Sequence, residues 1–90
     1  MRVIEKNMLQ AINTCKAWKS DNTSVAPIDG VNCAVFLHGN HIANVENGIV
    51  RVNRETLAKW PTPTTKSRLR ALGANVTTRG GVTYLDGKAV

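Results

Sequence analysis

The sequence predicts an α+β fold: an N-terminal helix on a small antiparallel sheet (a β-meander), then a second short basic helix and a C-terminal β-hairpin. Three features predict it. Apolar residues recur at helical spacing near the N-terminus, alternating segments in the middle are separated by two-residue turn sequences, and a proline and a glycine bracket a basic segment at 63–73. The 90 residues form a single domain, residues 1–90.

The first helix is predicted over about residues 3–18. Six apolar residues recur there at steps of three and four and share one face: Ile4, Met8, Ala11, Ile12, Cys15 and Trp18. A domain this small needs its apolar stripes for the core, so we interpret this face as buried. The polar residues of 20–24 end the helix, because such side chains bond their own backbone.

A three-stranded meander is predicted over residues 33–52, where apolar residues alternate with others. The Gly-Asn pair at 39–40 fits a two-residue hairpin loop, and the Asn-Gly pair at 47–48 is the strongest hairpin signal, since both positions tolerate positive φ. A short extended segment over 25–28 precedes the meander, and Pro27 confines it to an edge.

The second helix is predicted from its boundaries. Asn53 can cap a short helical turn over 54–59. Thr62 then suits an N-cap with a proline after it, and Thr64 is the other candidate cap. A helix is therefore expected over 63–72, ending at Gly73 in a left-handed conformation. We expect Lys66 and Arg70 to point outward.

The chain is predicted to end in a hairpin. Its strands, over 75–78 and 82–85, flank an Arg-Gly-Gly turn at 79–81. All connections are short, as a compact domain requires.

The positive charge lies in one third of the chain. The net charge is +6, residues 1–48 and 81–90 each sum to zero, and residues 49–80 hold seven basic residues against Glu55 alone. A balanced scaffold with one basic segment indicates a surface that meets an anionic partner.

The start of the basic helix is the strongest candidate for that surface. A helix N-terminus exposes N–H groups and a positive dipole end, and hydroxyl and cationic side chains surround it here. The candidate anion- or partner-binding residues are Arg51, Arg54, Thr64, Thr65, Lys66, Arg68, Arg70 and Arg79. A capped and solvated basic helix without any ligand accounts for the same residues equally well.

Catalysis and metal binding have weak support in the sequence. No carboxylate pair has a spacing suited to acid–base chemistry, and the phases of Cys15 and Cys33 predict inward, inert thiols. His38 and His41 could face each other across a hairpin, but zinc needs two more ligands, and two surface histidines beside a turn is the ordinary explanation. We therefore expect no enzyme, cofactor or metal.

A resemblance to a known group rests on LHGNHIANV followed downstream by WPTPTTKSRLRALG, within residues 33–73. There a short β-hairpin precedes a Thr-Thr-rich start to a basic helix. This arrangement resembles small, uncharacterised accessory proteins of tailed bacteriophages. The resemblance implies a phage accessory protein that acts in the bacterial host cytoplasm, and it carries over no functional residues.

Two functions of different class remain open. The first is a nucleic-acid-binding module that uses residues 49–80 for sequence-nonspecific phosphate contacts. The second is a protein-binding module, for example an inhibitor that docks on an acidic surface of a host protein or complex involved in nucleic-acid metabolism or defence. Neither function involves a membrane, because no apolar run approaches the length of a membrane span.

The cysteine content predicts a reduced, cytoplasmic protein without a Cys15–Cys33 bridge. The N-terminal residues carry charges within any apolar stretch and do not fit a secretory signal. Thiol titration of the unfolded protein under non-reducing conditions should therefore count two free groups. A count of zero would contradict the prediction.

Overall fold

Three short helices and eight strands follow one another in the computed structural model, which describes residues 1–90. The helices are α1 (Val3–Asn13), α2 (Arg54–Lys59) and α3 (Pro63–Ala71). The strands are β1 (Trp18–Ser20), β2 (Thr23–Pro27), β3 (Cys33–Leu37), β4 (Asn40–Glu46), β5 (Ile49–Val52), β6 (Val76–Arg79), β7 (Val82–Leu85) and β8 (Lys88–Ala89). The predicted α+β fold is confirmed.

Strands β1 to β5 form one antiparallel sheet in chain order. The register places Val25 beside Val35, and Val35 beside Ala43, so buried side chains of neighbouring strands share one face. The predicted meander over 33–52 is confirmed as β3–β5. The segment predicted at an edge is instead β2, inside the sheet; it tolerates Pro27 because this residue ends the strand.

The tight turns of the main sheet rest on positive φ angles. Asn47 and Gly48 have φ of 52° and 78°, which confirms the predicted Asn-Gly hairpin. The preceding turn is formed by His38 and Gly39, at φ of 52° and 79°, one residue earlier than predicted. Because Asn40 already pairs with β3, His38 lies in the turn and does not face His41 across the strands.

Helix α1 is shorter than the apolar periodicity predicts. It ends at Asn13, and the hydroxyl of Thr14 donates to a carbonyl oxygen within the last turn at 2.8 Å. Cys15 follows in the left-handed conformation, with φ of 52°. This residue turns the chain, so Trp18 begins β1 and no longer belongs to the helical stripe.

Side-chain caps fix the beginnings of α2 and α3. The N–H of Thr56 donates to Asn53 Oδ1 at 3.1 Å, and the N–H of Thr65 donates to Thr62 Oγ1 at 3.1 Å. Gly73, just beyond α3, has φ of 101°. The predicted caps and the predicted left-handed glycine are confirmed.

A second, three-stranded antiparallel sheet closes the chain. The predicted C-terminal hairpin is present as β6 and β7, and β8 adds a further strand to it. Val76 and Leu85 lie opposite each other and are buried, so one face of this sheet joins the core.

The helices and both sheets share one hydrophobic core. Helix α1 packs on β2, α2 on β4, and α3 on β4 and β6. The buried members of the cluster are Met8, Ala11, Val25, Cys33, Val35, Leu37, Ile42, Ala43, Val45, Leu57, Leu69, Val76 and Leu85. Residues of all three helices and of both sheets thus contribute to the same cluster.

A buried ion pair joins the two longer helices. Arg68 Nη1 of α3 lies 2.8 Å from Glu5 Oε2 of α1, and both side chains are less than 5% exposed. Ser67 Oγ donates to the same carboxylate oxygen at 2.6 Å, and Arg68 Nε donates to Thr23 Oγ1 of β2 at 3.0 Å. The network therefore connects α1, α3 and the main sheet, and every buried side-chain polar atom of the chain has a partner.

The pair lowers the pKa of Glu5. Burial raises this pKa, but hydrogen bonds from Ser67, Arg68 and the main chain of Arg2, with the Arg68 charge, outweigh burial and bring it below its ordinary value. The folded state therefore stabilises the ionised carboxylate more than the unfolded chain does. That contribution is present above the ordinary carboxyl pKa and is lost as the pH falls through the lower folded value.

Replacing either cap of α3 should lower the free energy of unfolding. Thr62→Ala should lower the free energy of unfolding by about 0.5–2 kcal/mol, because the N–H of Thr65 loses its acceptor. Gly73→Val should cost about 1–2 kcal/mol, because no neighbour lies near the added Cβ and the penalty comes from positive φ. Urea unfolding measures both costs. Thr64→Ala and Gly30→Ala are the matched controls, and equal losses in a variant and its control would contradict the assignments.

Removing the charge of Glu5 should lower the free energy of unfolding by an amount that depends on pH. Glu5→Gln should lower the free energy of unfolding at pH 7 by about 3–5 kcal/mol, because Arg68 is left buried without a countercharge. The difference from the wild type should shrink as the pH falls below the ordinary pKa of a glutamate, where the unfolded wild-type chain protonates, and should be smallest below the lower pKa of folded Glu5. Urea unfolding across this pH range measures it. The exposed Glu55→Gln is the control, and a cost independent of pH would show that ionised Glu5 does not contribute.

Candidate anion-binding surface

Two cations of α3 lie along strand β6. Lys66 and Arg70 are one helical turn apart, so they project from the same side of the helix. Lys66 Nζ donates to Thr78 Oγ1 at 2.6 Å, and Arg70 Nε donates to the carbonyl oxygen of Val76 at 2.8 Å. The earlier residue of α3, Lys66, contacts the later residue of β6, and Arg70 contacts the first residue of the strand. Helix α3 therefore runs antiparallel to β6.

A third cation lies at the end of the same strand. The guanidinium of Arg79 is 5.0 Å from the centre of the Tyr84 ring on β7, a cation–π contact. Both residues are on the face of the small sheet opposite the buried Val76, since side chains alternate along a strand, whereas Thr78, which Lys66 contacts, is on the same face as Val76. Strand β6 is an edge strand, so the three cations lie on both sides of one sheet edge. We call Lys66, Arg70 and Arg79, together with β6, the α3–β6 surface.

No carboxylate forms an ion pair with a cation of the α3–β6 surface. The chain contains two ion pairs, Glu5 with Arg68 and Glu46 with Arg51, the latter at 2.7 Å. Neither includes a cation of the α3–β6 surface, whose partners are a hydroxyl, a carbonyl and an aromatic ring. An approaching anion therefore meets no competing carboxylate bound to these side chains.

The opposite side of Arg70 suits an anion less well. A cleft of about 320 Å³ there is lined by Met1, Glu5, Ser67, Arg70 and Ala71. The hydroxyl of Ser67 is already donated to Glu5, and the charge of that carboxylate is matched by Arg68, so neither side chain is available to an anion in the cleft. The charge distribution favours the side of α3 that faces β6.

The hydroxyl groups at the start of α3 are not presented as the sequence led us to expect. Thr65 is buried, and its hydroxyl is hydrogen-bonded to that of Thr62 at 2.9 Å. The N–H of Thr65 is used by the same cap. Thr64 is half-buried and makes no side-chain hydrogen bond within the protein. Capping thus occupies one of the two threonines predicted to bind an anion.

Arg68 is a correction to the predicted surface. It is 3% exposed and serves the ion pair with Glu5, so its guanidinium does not reach solvent. The sequence contains a signal for this placement. The inward face of α3 is marked by residues at steps of three and four, namely Thr65, Arg68, Leu69 and Leu72. On α1, Glu5 stands three residues before the buried Met8, which places it on the inward side of that helix.

The remaining two predicted site residues lie on other elements. Arg51 is on β5 and is exposed, with its charge shared with Glu46. Arg54 is the first residue of α2 and is exposed without a carboxylate partner. Of the eight residues predicted to bind a partner, the structure arranges Lys66, Arg70 and Arg79 around one strand.

His41 has a structural role. Its Nδ1 accepts from Asn53 Nδ2 at 3.1 Å and its Nε2 donates to Asn44 Oδ1 at 2.6 Å, which assigns the neutral tautomer. Asn53 in turn caps α2, so the imidazole links that cap to β4. No group of three or more His, Cys, Asp or Glu side chains is placed to hold a metal ion.

Comparisons with known proteins place the chain in a family. The model of a family described as Kyanoviridae Gp96 protein matches residues 1–90, whereas no curated protein and no solved structure matches the chain. None of the three helices has the length and apolar character to cross a membrane. The match extends beyond the segment at 33–73 on which the resemblance to phage proteins was based, and it confirms that resemblance at the level of a phage protein. The chain belongs to the Kyanoviridae Gp96 protein family.

Proposed function

We propose that this phage protein is a non-enzymatic module that binds the phosphate backbone of nucleic acid through the α3–β6 surface. The observation that carries the proposal is the arrangement of Lys66, Arg70 and Arg79 around one strand, each held by an uncharged partner. Side chains fixed in this way lose little further freedom when they bind, and their charges are not cancelled within the chain.

The chemistry of the surface favours backbone contacts over base recognition. Phosphate binding needs cations without carboxylate partners, and it gains from the release of counterions. Stacking of bases needs several exposed rings. The one ring beside this surface, Tyr84 of β7, already makes a cation–π contact with Arg79. The expected binding is therefore independent of sequence and strongly dependent on salt.

The alternative partner is a host protein with an acidic surface, within a complex involved in nucleic-acid metabolism or defence. It would use the same three cations, and membership in a family of phage proteins is compatible with it. We place either interaction in the cytoplasm of the bacterial host. The two partners differ in their response to salt and nuclease, so one set of variants distinguishes them.

The test compares two charge reversals. Lys66→Glu with Arg70→Glu should weaken binding to labelled single- and double-stranded DNA and to RNA by about tenfold or more, and should flatten the salt slope by about one unit per lost phosphate contact. Lys16→Glu with Lys19→Glu is the matched control, since both lysines are exposed and lie outside the surface. Fluorescence anisotropy at several salt concentrations measures binding, and circular dichroism checks the fold.

Two outcomes would replace the proposal. If the wild type binds no nucleic acid at low salt, but retains one stoichiometric protein from nuclease-treated host lysate that the 66/70 variant loses, the partner is a protein. If the 66/70 variant binds as the wild type does while the 16/19 variant does not bind, the functional surface lies at the end of α1.

A further inference from the structure

The two cysteines of the chain lie side by side as free thiols. They are 18 positions apart in sequence, yet Cys15 Sγ and Cys33 Sγ are 3.6 Å apart. Cys33 begins β3 and is 1% exposed, whereas Cys15 follows α1 and is half-buried. The prediction that both thiols face inward therefore holds fully for Cys33 and in part for Cys15, which packs against the core but lies beyond the end of α1.

The position of Cys15 is unusual for a side chain of any kind. The N–H groups of Cys15 and Lys16 donate to the carbonyls of Ile12 and Ala11, the pattern that ends a helix with a left-handed residue, most often glycine. Cys15 adopts φ of 52° there, and its Sγ donates to the carbonyl oxygen of Asp29 at 3.1 Å. The backbone gives no reason for a cysteine at this position, but the thiol contacts Cys33.

We propose that Cys15 and Cys33 form a reversible redox site, in which Cys15 reacts with a low-molecular-weight disulfide and Cys33 resolves the adduct. In the first step the Cys15 thiolate attacks one sulfur of the small disulfide, an S–S bond breaks, and one small thiolate leaves. In the second step the Cys33 thiolate attacks Cys15 Sγ and displaces the second small thiolate. The two leaving thiolates take up the two protons that the cysteines release, so the small disulfide is reduced as the protein disulfide forms.

The order of the two steps follows from the surroundings of each sulfur. Burial, then the hydrogen bond and charge of Cys15 and the charge of Asp29, raise the pKa of Cys33 to about 11, so this thiol is a poor first nucleophile. Its buried position also keeps a small disulfide away. Once Cys15 carries the adduct, its own ionisation no longer opposes that of Cys33, and the attack that closes the bridge becomes easier.

The bridge would tie the end of α1 to the start of β3. It encloses the β1–β2 hairpin and the loop at 28–32, where Asp29 accepts N–H bonds from Val31 and Asn32, both at 2.9 Å. A covalent S–S bond is about 2.0 Å long, so a small movement of the half-buried partner, Cys15, is sufficient. Closing this loop removes freedom from the unfolded chain, and we expect oxidation to stabilise the fold.

The test treats the folded, reduced protein with excess oxidised glutathione, blocks the remaining thiols and measures intact mass. The wild type should lose two hydrogen masses, and its Tm should rise by about 5 °C or more. Cys33→Ala should instead accumulate a glutathione adduct on Cys15. Cys15→Ala, the matched variant, should stay unmodified while folded.

Three results would overturn the proposal: a wild type that keeps two free thiols in excess oxidised glutathione, an oxidised form with a lower Tm than the reduced form, or a Cys15→Ala variant that forms an adduct as fast as Cys33→Ala does. The first two measurements use only the wild-type chain and are independent of whether the variants fold. Circular dichroism before the reaction shows whether each variant is folded, and return to the dithiol form with excess reduced glutathione shows that the modification is reversible.

Discussion

The ion pair between Glu5 and Arg68 is the constraint on which the arrangement of the helices depends. It connects residues 63 positions apart, and both charges are withdrawn from water, so each requires the other. The apolar contacts of α1 and α3 specify that the helices pack, but such contacts are non-directional. The carboxylate, with donors from Arg68 and Ser67, adds a geometric requirement that fixes how α3 is rotated about its axis.

That rotation determines which cations of α3 lie along β6. Lys66 and Arg70 each stand two residues from Arg68, which is about 200° around a helix. When Arg68 turns toward Glu5 and the sheet, its two neighbours are directed away from the core and toward β6. The buried charge and the exposed charges are thus parts of one arrangement, and the basic helix predicted as a uniform surface divides into a structural arginine and two available cations.

The sequence was sufficient for the local features and insufficient for those that depend on distant residues. The caps at Asn53 and Thr62, the left-handed Gly73 and the Asn-Gly hairpin follow from the chemistry of a few adjacent residues, and all are present. The end of α1 was misjudged because Cys15 takes a conformation usual for glycine while continuing an apolar pattern. Periodicity could have placed Arg68 inside, but its partner, Glu5, lies at the other end of the chain.

The candidate surface could also be predicted only in part from the sequence. Counting charges located the basic segment between 49 and 80, but it could not show that Glu46 and Glu5 neutralise two of its seven cations. Of the cations that remain unpaired, Lys66 and Arg70 lie along β6 only because α3 runs antiparallel to that strand. Net charge therefore indicates that an anionic partner is favoured, and tertiary structure decides which residues can meet it. The cation at the centre of the basic helix stabilises the fold, whereas its two neighbours on α3 have no carboxylate partner.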